Sequence, residues 1–204
     1  MIQLNTDNLE KRFGSKTVFS NLSIETNTPV LGIAGINGSG KSTLLKCLAG
    51  LLKPTSGIVQ WRVNGHDINR TDLKKVLGFA APYIQLYEEL TVRENLEFIQ
   101  NVRSLNPKQS LADLLEPLGA RKLIDINFGE LSTGQQQRIK LAASFIHNPD
   151  ILLLDEPGSN LDEAGKEVIT TLVDQFKNSG RMVVIASNQQ HELELCNEII
   201  ELKK

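Results

Sequence analysis

The hydrophobic positions change period along the chain, and each change predicts an element. Two short apolar and β-branched runs, at 2–5 and 18–24, flank a turn at 12–16 and predict strands. Residues 30–36 are apolar with few breaks, as in a strand buried on both faces, and 41–49 take the spacing of a helix. After the break at Pro54 and Gly57, residues 58–63 predict a strand entering an Asn64-Gly65 turn, with Trp61 packed on one face. Residues 76–80 predict another buried strand, which Pro82 ends. From 91 to 147 the spacing is helical, through Val92, Leu96 and Ile99 and then Leu111, Leu114, Leu115 and Leu118, with Pro107 and Pro117 as punctuation. Residues 151–155 return to an unbroken apolar strand; 163–178 predict an amphipathic helix closed by Ser179-Gly180, 181–186 a buried strand and 191–196 a short helix. Strands alternating with helices imply an α/β fold whose mainly parallel sheet is built through crossover connections. The block at about 83–148, without a convincing strand, reads as a helical insertion.

Composition bounds this picture. At 204 residues the chain is long enough for one sizeable core, and a formal net charge of -2 leaves no overall basic footprint, so no nucleic acid is expected. No apolar run approaches the ~20 residues of a membrane-spanning helix, and the N-terminus lacks a signal-type pattern, so the protein is expected to be cytoplasmic. Cys47 and Cys196 have no metal-ligand spacing and read as reduced, packed thiols.

The chemistry gathers at the join of the strand at 30–36 and the helix after it. Gly35-Ile36-Asn37-Gly38-Ser39-Gly40-Lys41-Ser42 fits the G-x-x-x-x-G-K-[ST] phosphate loop. Gly38 and Gly40 let the backbone curl and present N–H donors, and the helix N-terminus adds partial positive charge. Lys41 is placed to reach the β- and γ-phosphates of a nucleotide, and the Ser42 hydroxyl to ligate Mg²⁺. Asp155 and Glu156 close the apolar strand at 151–155, at the end where open parallel sheets bind ligands; Asp155 suits a hydrated Mg²⁺ and Glu156 a general base for water. Leu131-Ser132-Thr133-Gly134-Gln135-Gln136-Gln137-Arg138 opens a further helix, with Ser132 as its N-cap. Phe13, on the turn upstream of the phosphate loop, is either an adenine-stacking platform or a local core residue.

These stretches together resemble the ATP-binding cassette superfamily, specifically the nucleotide-binding subunit of an ABC transporter of small bacterial type. The likeness covers essentially the whole chain: G-I-N-G-S-G-K-S-T, the L-S-T-G-Q-Q-Q-R signature, I-L-L-L-D-E-P and the Ser159-Asn160-Leu161-Asp162 D-loop. It implies one ABC ATPase domain over 1–204, a phosphate-loop core with a small antiparallel β portion and the helical subdomain at 83–148. ATP and Mg²⁺ are the implied cofactors, with nucleotide contacts from Phe13, Gly35, Asn37, Gly38, Ser39, Gly40, Lys41, Ser42 and Thr43. It further implies a head-to-tail homodimer or heterodimer in which Ser132, Gly134 and Gln135 touch the nucleotide held by the partner. Separate transmembrane permease subunits would dock on the helical block and hold the protein against the inner face of the membrane.

Three departures from the family pattern stand out. Pro82 falls where the Q-loop glutamine belongs, leaving Gln85 as the nearest candidate for the metal contact. Asn188 takes the place of the switch histidine; its amide can hydrogen-bond a γ-phosphate but carries no proton at neutral pH. Thr133 replaces a glycine of the signature. The main expectation is an ATP-hydrolysing subunit driving a transporter; its rivals are a regulatory clamp with weak turnover and a soluble ABC-type ATPase for assembly or repair.

Overall fold

The computed structural model describes residues 1–104, 109–159 and 161–202; Pro107 and Asn160 lie outside them. β1 (Ile2–Phe13) and β2 (Lys16–Thr26) form a long antiparallel hairpin. The turn expected at 12–16 narrows to Gly14-Ser15, and both strands run well past the lengths their apolar runs predict. Asn8 and Asn21, with φ of 47° and 53°, take up the register shifts that let pairing continue through the polar stretch. Only one face of this hairpin packs inward, so its other positions are polar without ceasing to be strand.

The chain then enters β3 (Val30–Ala34) and α1 (Lys41–Leu48), followed by β4 (Ser56–Val63), β5 (His66–Ile68), the single turn α2 (Leu73–Val76) and β6 (Leu77–Ala80). The expected helical stretch divides into α3 (Val92–Val102), α4 (Leu111–Leu115), three short 3₁₀ turns and α5 (Thr133–Phe145). β7 (Ile151–Asp155), α6 (Glu163–Asn178), β8 (Met182–Ser187), α7 (Gln190–Leu193) and β9 (Glu198–Glu201) complete the order. α7 is shorter than the expected 191–196, and β9 follows it as a strand with no strong sequence signal.

Strands β2-β1-β4-β5 make an antiparallel sheet, and β6-β7-β8-β3-β9 a parallel one. The parallel sheet is covered on both sides, which explains its unbroken apolar strands: Leu152 and Leu154 of β7 face the core with α3 to α6, whereas Ile151 and Leu153 face α1 and the antiparallel sheet. Trp61 joins that second core, 2% exposed, and its indole N–H donates to the Leu48 carbonyl at the end of α1 (2.8 Å). At Gly78 a Cβ would lie 2.1 Å from the Ser144 carbonyl oxygen, so the missing side chain is what brings α5 against β6. The two elements that carry Asp155 and the signature are thus anchored to adjoining strands of one sheet.

Candidate functional site

β3 ends in the phosphate loop, and α1 begins where that loop closes. Gly40 is the N-cap of α1 with φ 103°, and it supplies no side-chain capping bond, so the first N–H groups of the helix are not bound by a cap side chain. A Cβ on Gly40 would meet Val18 Cγ1 at 2.6 Å, which requires glycine for space as well as for conformation. Ser39 is buried with its hydroxyl unpartnered, and Thr43 is half-buried on the first turn of α1. Lys41, 5% exposed, folds back across the loop: Nζ donates to the Gly35 carbonyl (2.7 Å) and lies 3.3 Å from Glu156 Oε1. The cation is therefore held at the cup by weak carbonyl partners that a phosphate can displace.

Across from the loop, β7 delivers Asp155, 1% exposed, whose Oδ1 accepts the Ser42 hydroxyl at 3.0 Å. Burial pushes this carboxyl above its ordinary value, opposed by the Ser42 hydrogen bond, the Tyr83 hydroxyl and the charges of Lys46 and Lys41. Oδ2 is buried without a well-formed hydrogen bond. A hydroxyl and an orphaned carboxylate oxygen, both hard donors, suit Mg²⁺. Among the described residues no group of three or more His, Cys, Asp or Glu could cage a metal.

Glu156, next along, has φ 47°, a left-handed conformation that costs a non-glycine residue roughly 1–2 kcal/mol. Its N–H still donates to the Ala186 carbonyl (2.8 Å), while the turned backbone aims the carboxylate at Lys41. Two contacts brace the following loop: Gln137 of α5 donates to the Pro157 carbonyl (3.2 Å), and Glu192 of α7 accepts the Gly158 N–H (2.6 Å). Glu192 is fully buried, and burial raises its carboxyl. Asn188, just beyond β8, donates its amide to Asn37 Oδ1 at 2.9 Å, so the residue in the switch position already touches the phosphate loop.

The remaining candidates lie apart. Ser132, exposed, caps α5 in a capping box with Gln135, whose Oε1 accepts the Ser132 N–H (2.9 Å); Gly134 is half-buried on the first turn, and the Thr133 side chain is exposed rather than packed inward. Asp162 caps α6 by accepting from Gly165 N–H (2.9 Å) and pairs with Arg138 of α5 (3.2 Å). Phe13 is 53% exposed at the hairpin end, beneath Lys11 Nζ, so it is no core residue. Gln85 is exposed and makes no hydrogen bond to Ser42 or Asp155. Glu192 escaped sequence reasoning, since it acts through a contact between segments far apart in the chain.

The chain matches the ABC transporter family over residues 20–159. It is 36% identical to the probable sulfate/thiosulfate import ATP-binding protein CysA of Chlorella vulgaris, over 97% of this chain and 86% of that one. The lantibiotic transport ATP-binding protein SrtF of Streptococcus pyogenes is 31% identical, over 97% and 85%. Among solved structures, the dimeric post-hydrolysis state of the ATP-binding cassette MJ0796 bound to ADP and Pi is similar with a TM-score of 0.80 and 25% identity, covering 100% of this chain and 94% of that one. The ATP binding subunit of an ABC transporter reaches a TM-score of 0.86 at 21% identity, a likeness of fold. The chain belongs to the ABC transporter family and is an ATP-binding subunit with ATPase activity.

Proposed function

We propose that this chain hydrolyses Mg²⁺-ATP as one half of a head-to-tail dimer and passes the resulting closure to separate transmembrane subunits. The observation that carries the reading is the cluster at the end of the parallel sheet, where Lys41, Ser42, Asp155 and Glu156 converge from α1 and β7. Lys41 releases the Gly35 carbonyl to bind the phosphates. Ser42 and Asp155 would hold Mg²⁺, which supplies charge neutralisation at the phosphate oxygens. Glu156 accepts a proton from the attacking water, and Asn188 donates its amide to the γ-phosphate in exchange for Asn37. Phe13, exposed at the end of the β1–β2 hairpin, stacks on adenine. The dimer partner is a second copy or a related chain, and its Ser132, Gly134 and Gln135 close over this nucleotide.

Residues 83–148 act as one helical subdomain inside a single ABC ATPase domain. Where it meets the core, a groove of about 390 Å³ is lined by Leu77, Phe79, Leu86, Phe98 and Val102, and Phe98 and Val102 are 46% and 68% exposed. That groove is the docking place for a cytoplasmic helix of the permease. Among the described residues no helix is long and apolar enough to cross a membrane, which accords with a peripheral subunit on the inner face.

The test is steady-state ATP hydrolysis with and without Mg²⁺. Lys41→Ala is expected to lower turnover on the order of 10²- to 10³-fold by removing a preorganised charge from the transferring phosphoryl group. Unchanged turnover in that variant would remove the site assignment.

A further inference from the structure

The Glu156 carbonyl accepts the Ser159 N–H (3.1 Å) and closes a turn whose central residues are Pro157 and Gly158. A Pro-Gly pair at these positions admits two turns, related by a flip of the peptide between them: type I, and type II, in which the glycine takes a positive φ. Glycine tolerates type II better than any other residue, yet Gly158 does not have a positive φ. Both ends of the intervening peptide are engaged from outside the turn. The Pro157 carbonyl accepts from Gln137 of α5 (3.2 Å), and the Gly158 N–H donates to Glu192 Oε1 of α7 (2.6 Å). A flip would point the carbonyl and the N–H away from these partners and lose both bonds. Glu192 is fully buried, and a Cβ on Gly158 would clash with the same Oε1, so the carboxylate closes directly on the backbone. Glu192 also lies four residues beyond Asn188, whose amide donates to Asn37 of the phosphate loop (2.9 Å). One short segment after β8 thus touches both the loop that receives phosphate and the turn that Glu156 begins.

We propose that Glu192 is a positioning residue for Glu156: by holding the Gly158 N–H it keeps the Pro157–Gly158 peptide from flipping, and so keeps the Glu156 carboxylate turned toward the phosphate loop. The proposal rests on the reading of Glu156 as the base. Glu156 has a left-handed φ of 47°, a conformation that persists only where its surroundings over-determine it. On its N-terminal side the Ala186 carbonyl holds its N–H (2.8 Å); on its C-terminal side only the turn holds its carbonyl. The turn is therefore the part of the restraint that Glu192 controls. A base displaced by a fraction of the distance to its water loses rate without losing the nucleotide, which α1 and the phosphate loop bind.

The experiment measures, for each variant, the single-turnover rate of ATP hydrolysis and the affinity for the non-hydrolysable β,γ-imido analogue. Glu192→Ala releases the Gly158 N–H and is expected to lower the rate on the order of 10- to 100-fold while leaving the affinity unchanged. Glu192→Gln keeps an accepting oxygen and should restore most of the rate. A second substitution tests the turn itself. Once Glu192→Ala has removed the clashing oxygen, the nearest remaining neighbour of a Cβ at position 158 is His191 Nε2, an ordinary contact at 3.5 Å. Adding Gly158→Ala then disfavours the positive φ of the flipped turn, so the double variant should recover rate relative to Glu192→Ala alone. An unchanged rate in Glu192→Ala, with Glu156→Gln inactive, overturns the role of Glu192 and leaves the base in place. Equal losses of rate and affinity show a general structural role and overturn it as well, as does a double variant no faster than Glu192→Ala. If Glu156→Gln hydrolyses ATP as fast as the wild type, the reading of Glu156 as the base fails, and the inference falls with it.

Discussion

The helices α1 and α5 both begin where a phosphate is expected, yet they begin differently. α1 follows Gly40, which offers no side chain and lets its first N–H groups face the loop. α5 follows Ser132, whose hydroxyl accepts from Gln135 N–H (3.3 Å) while Gln135 Oε1 accepts from Ser132 N–H (2.9 Å). The first helix has no side chain over its N-terminal donors; the second covers two of the donors at its start, Ser132 N–H and Gln135 N–H, with its own side chains. An N-cap of this kind is worth about 1 kcal/mol, so an anion delivered by a partner can displace it at small cost. In the proposed head-to-tail dimer the α1 half of the site is assembled within one chain, and the α5 half stays capped until a second chain arrives.

Breaking the α5 half should have the largest effect on assembly. Glu156→Gln keeps the side-chain shape but removes the base, so ATP is expected to persist and hold two chains together. Adding Ser132→Arg places a bulky cation where the partner's phosphates must approach, and it should abolish the dimer entirely in sedimentation with ATP and Mg²⁺. Nucleotide binding by the monomer should be untouched, because α1 is unchanged. A dimer that survives Ser132→Arg would mean that the signature does not face the partner's nucleotide.

On the α1 side the effects fall on chemistry and binding instead. Asn188→Ala removes an amide already placed at the phosphate loop through Asn37. Losing a hydrogen bond to a charged group is worth roughly 1.5–3 kcal/mol, or about ten- to a hundredfold in single-turnover rate, whereas Asn188→His should retain or raise the rate. Equal rates in wild type and both variants would favour a clamp over an engine. Gly40→Ala is expected to cost about 1–3 kcal/mol of backbone strain in the loop, since its Cβ would press on Val18 at a φ of 103°. Equilibrium binding of ATP without metal measures it, with roughly tenfold weaker affinity as the expected result.

The same contrast governs what the sequence made legible. β7 and α6 have the bounds that their patterns predict, 151–155 and 163–178, because an apolar run buried on both faces and an amphipathic stripe each carry their own signal. The phosphate loop is local in the same sense: its glycines, lysine and serine are consecutive. β9 carries little such signal, for it lies at the sheet edge, and its Glu198 and Glu201 are tolerated where only β3 pairs with it. The pairing of Glu192 with Gly158 joins distant segments, and no spacing rule foretells it. Phe13 shows the limit from the other side: the sequence could not say whether an aromatic at this turn packs in the core, and only the exposed hairpin end rules that out.

The smallest effect sharpens the comparison most, because the molecule carries a control. α3 begins with the same reciprocal box as α5: Thr91 Oγ1 accepts from Glu94 N–H (3.1 Å), and Glu94 Oε2 accepts from Thr91 N–H (2.8 Å). Gln135→Ala and Glu94→Ala each delete the returning side chain of one box. Urea unfolding of the nucleotide-free monomer should report a loss of about 1 kcal/mol for Gln135→Ala and a loss in the same direction for Glu94→Ala. The bonds from Thr91 hold the Glu94 carboxyl below its ordinary value of 4.5, so its contribution is present above that pH and is lost as pH falls through the folded value. Gln135 does not titrate, and its contribution should persist there. In the Glu156→Gln background only Gln135→Ala should weaken the ATP-held dimer, since in the proposed dimer only the α5 box meets the partner's phosphates. Equal weakening by both substitutions would show that the dimer senses general stability, and the distinction between an open and a stored helix N-terminus would be lost.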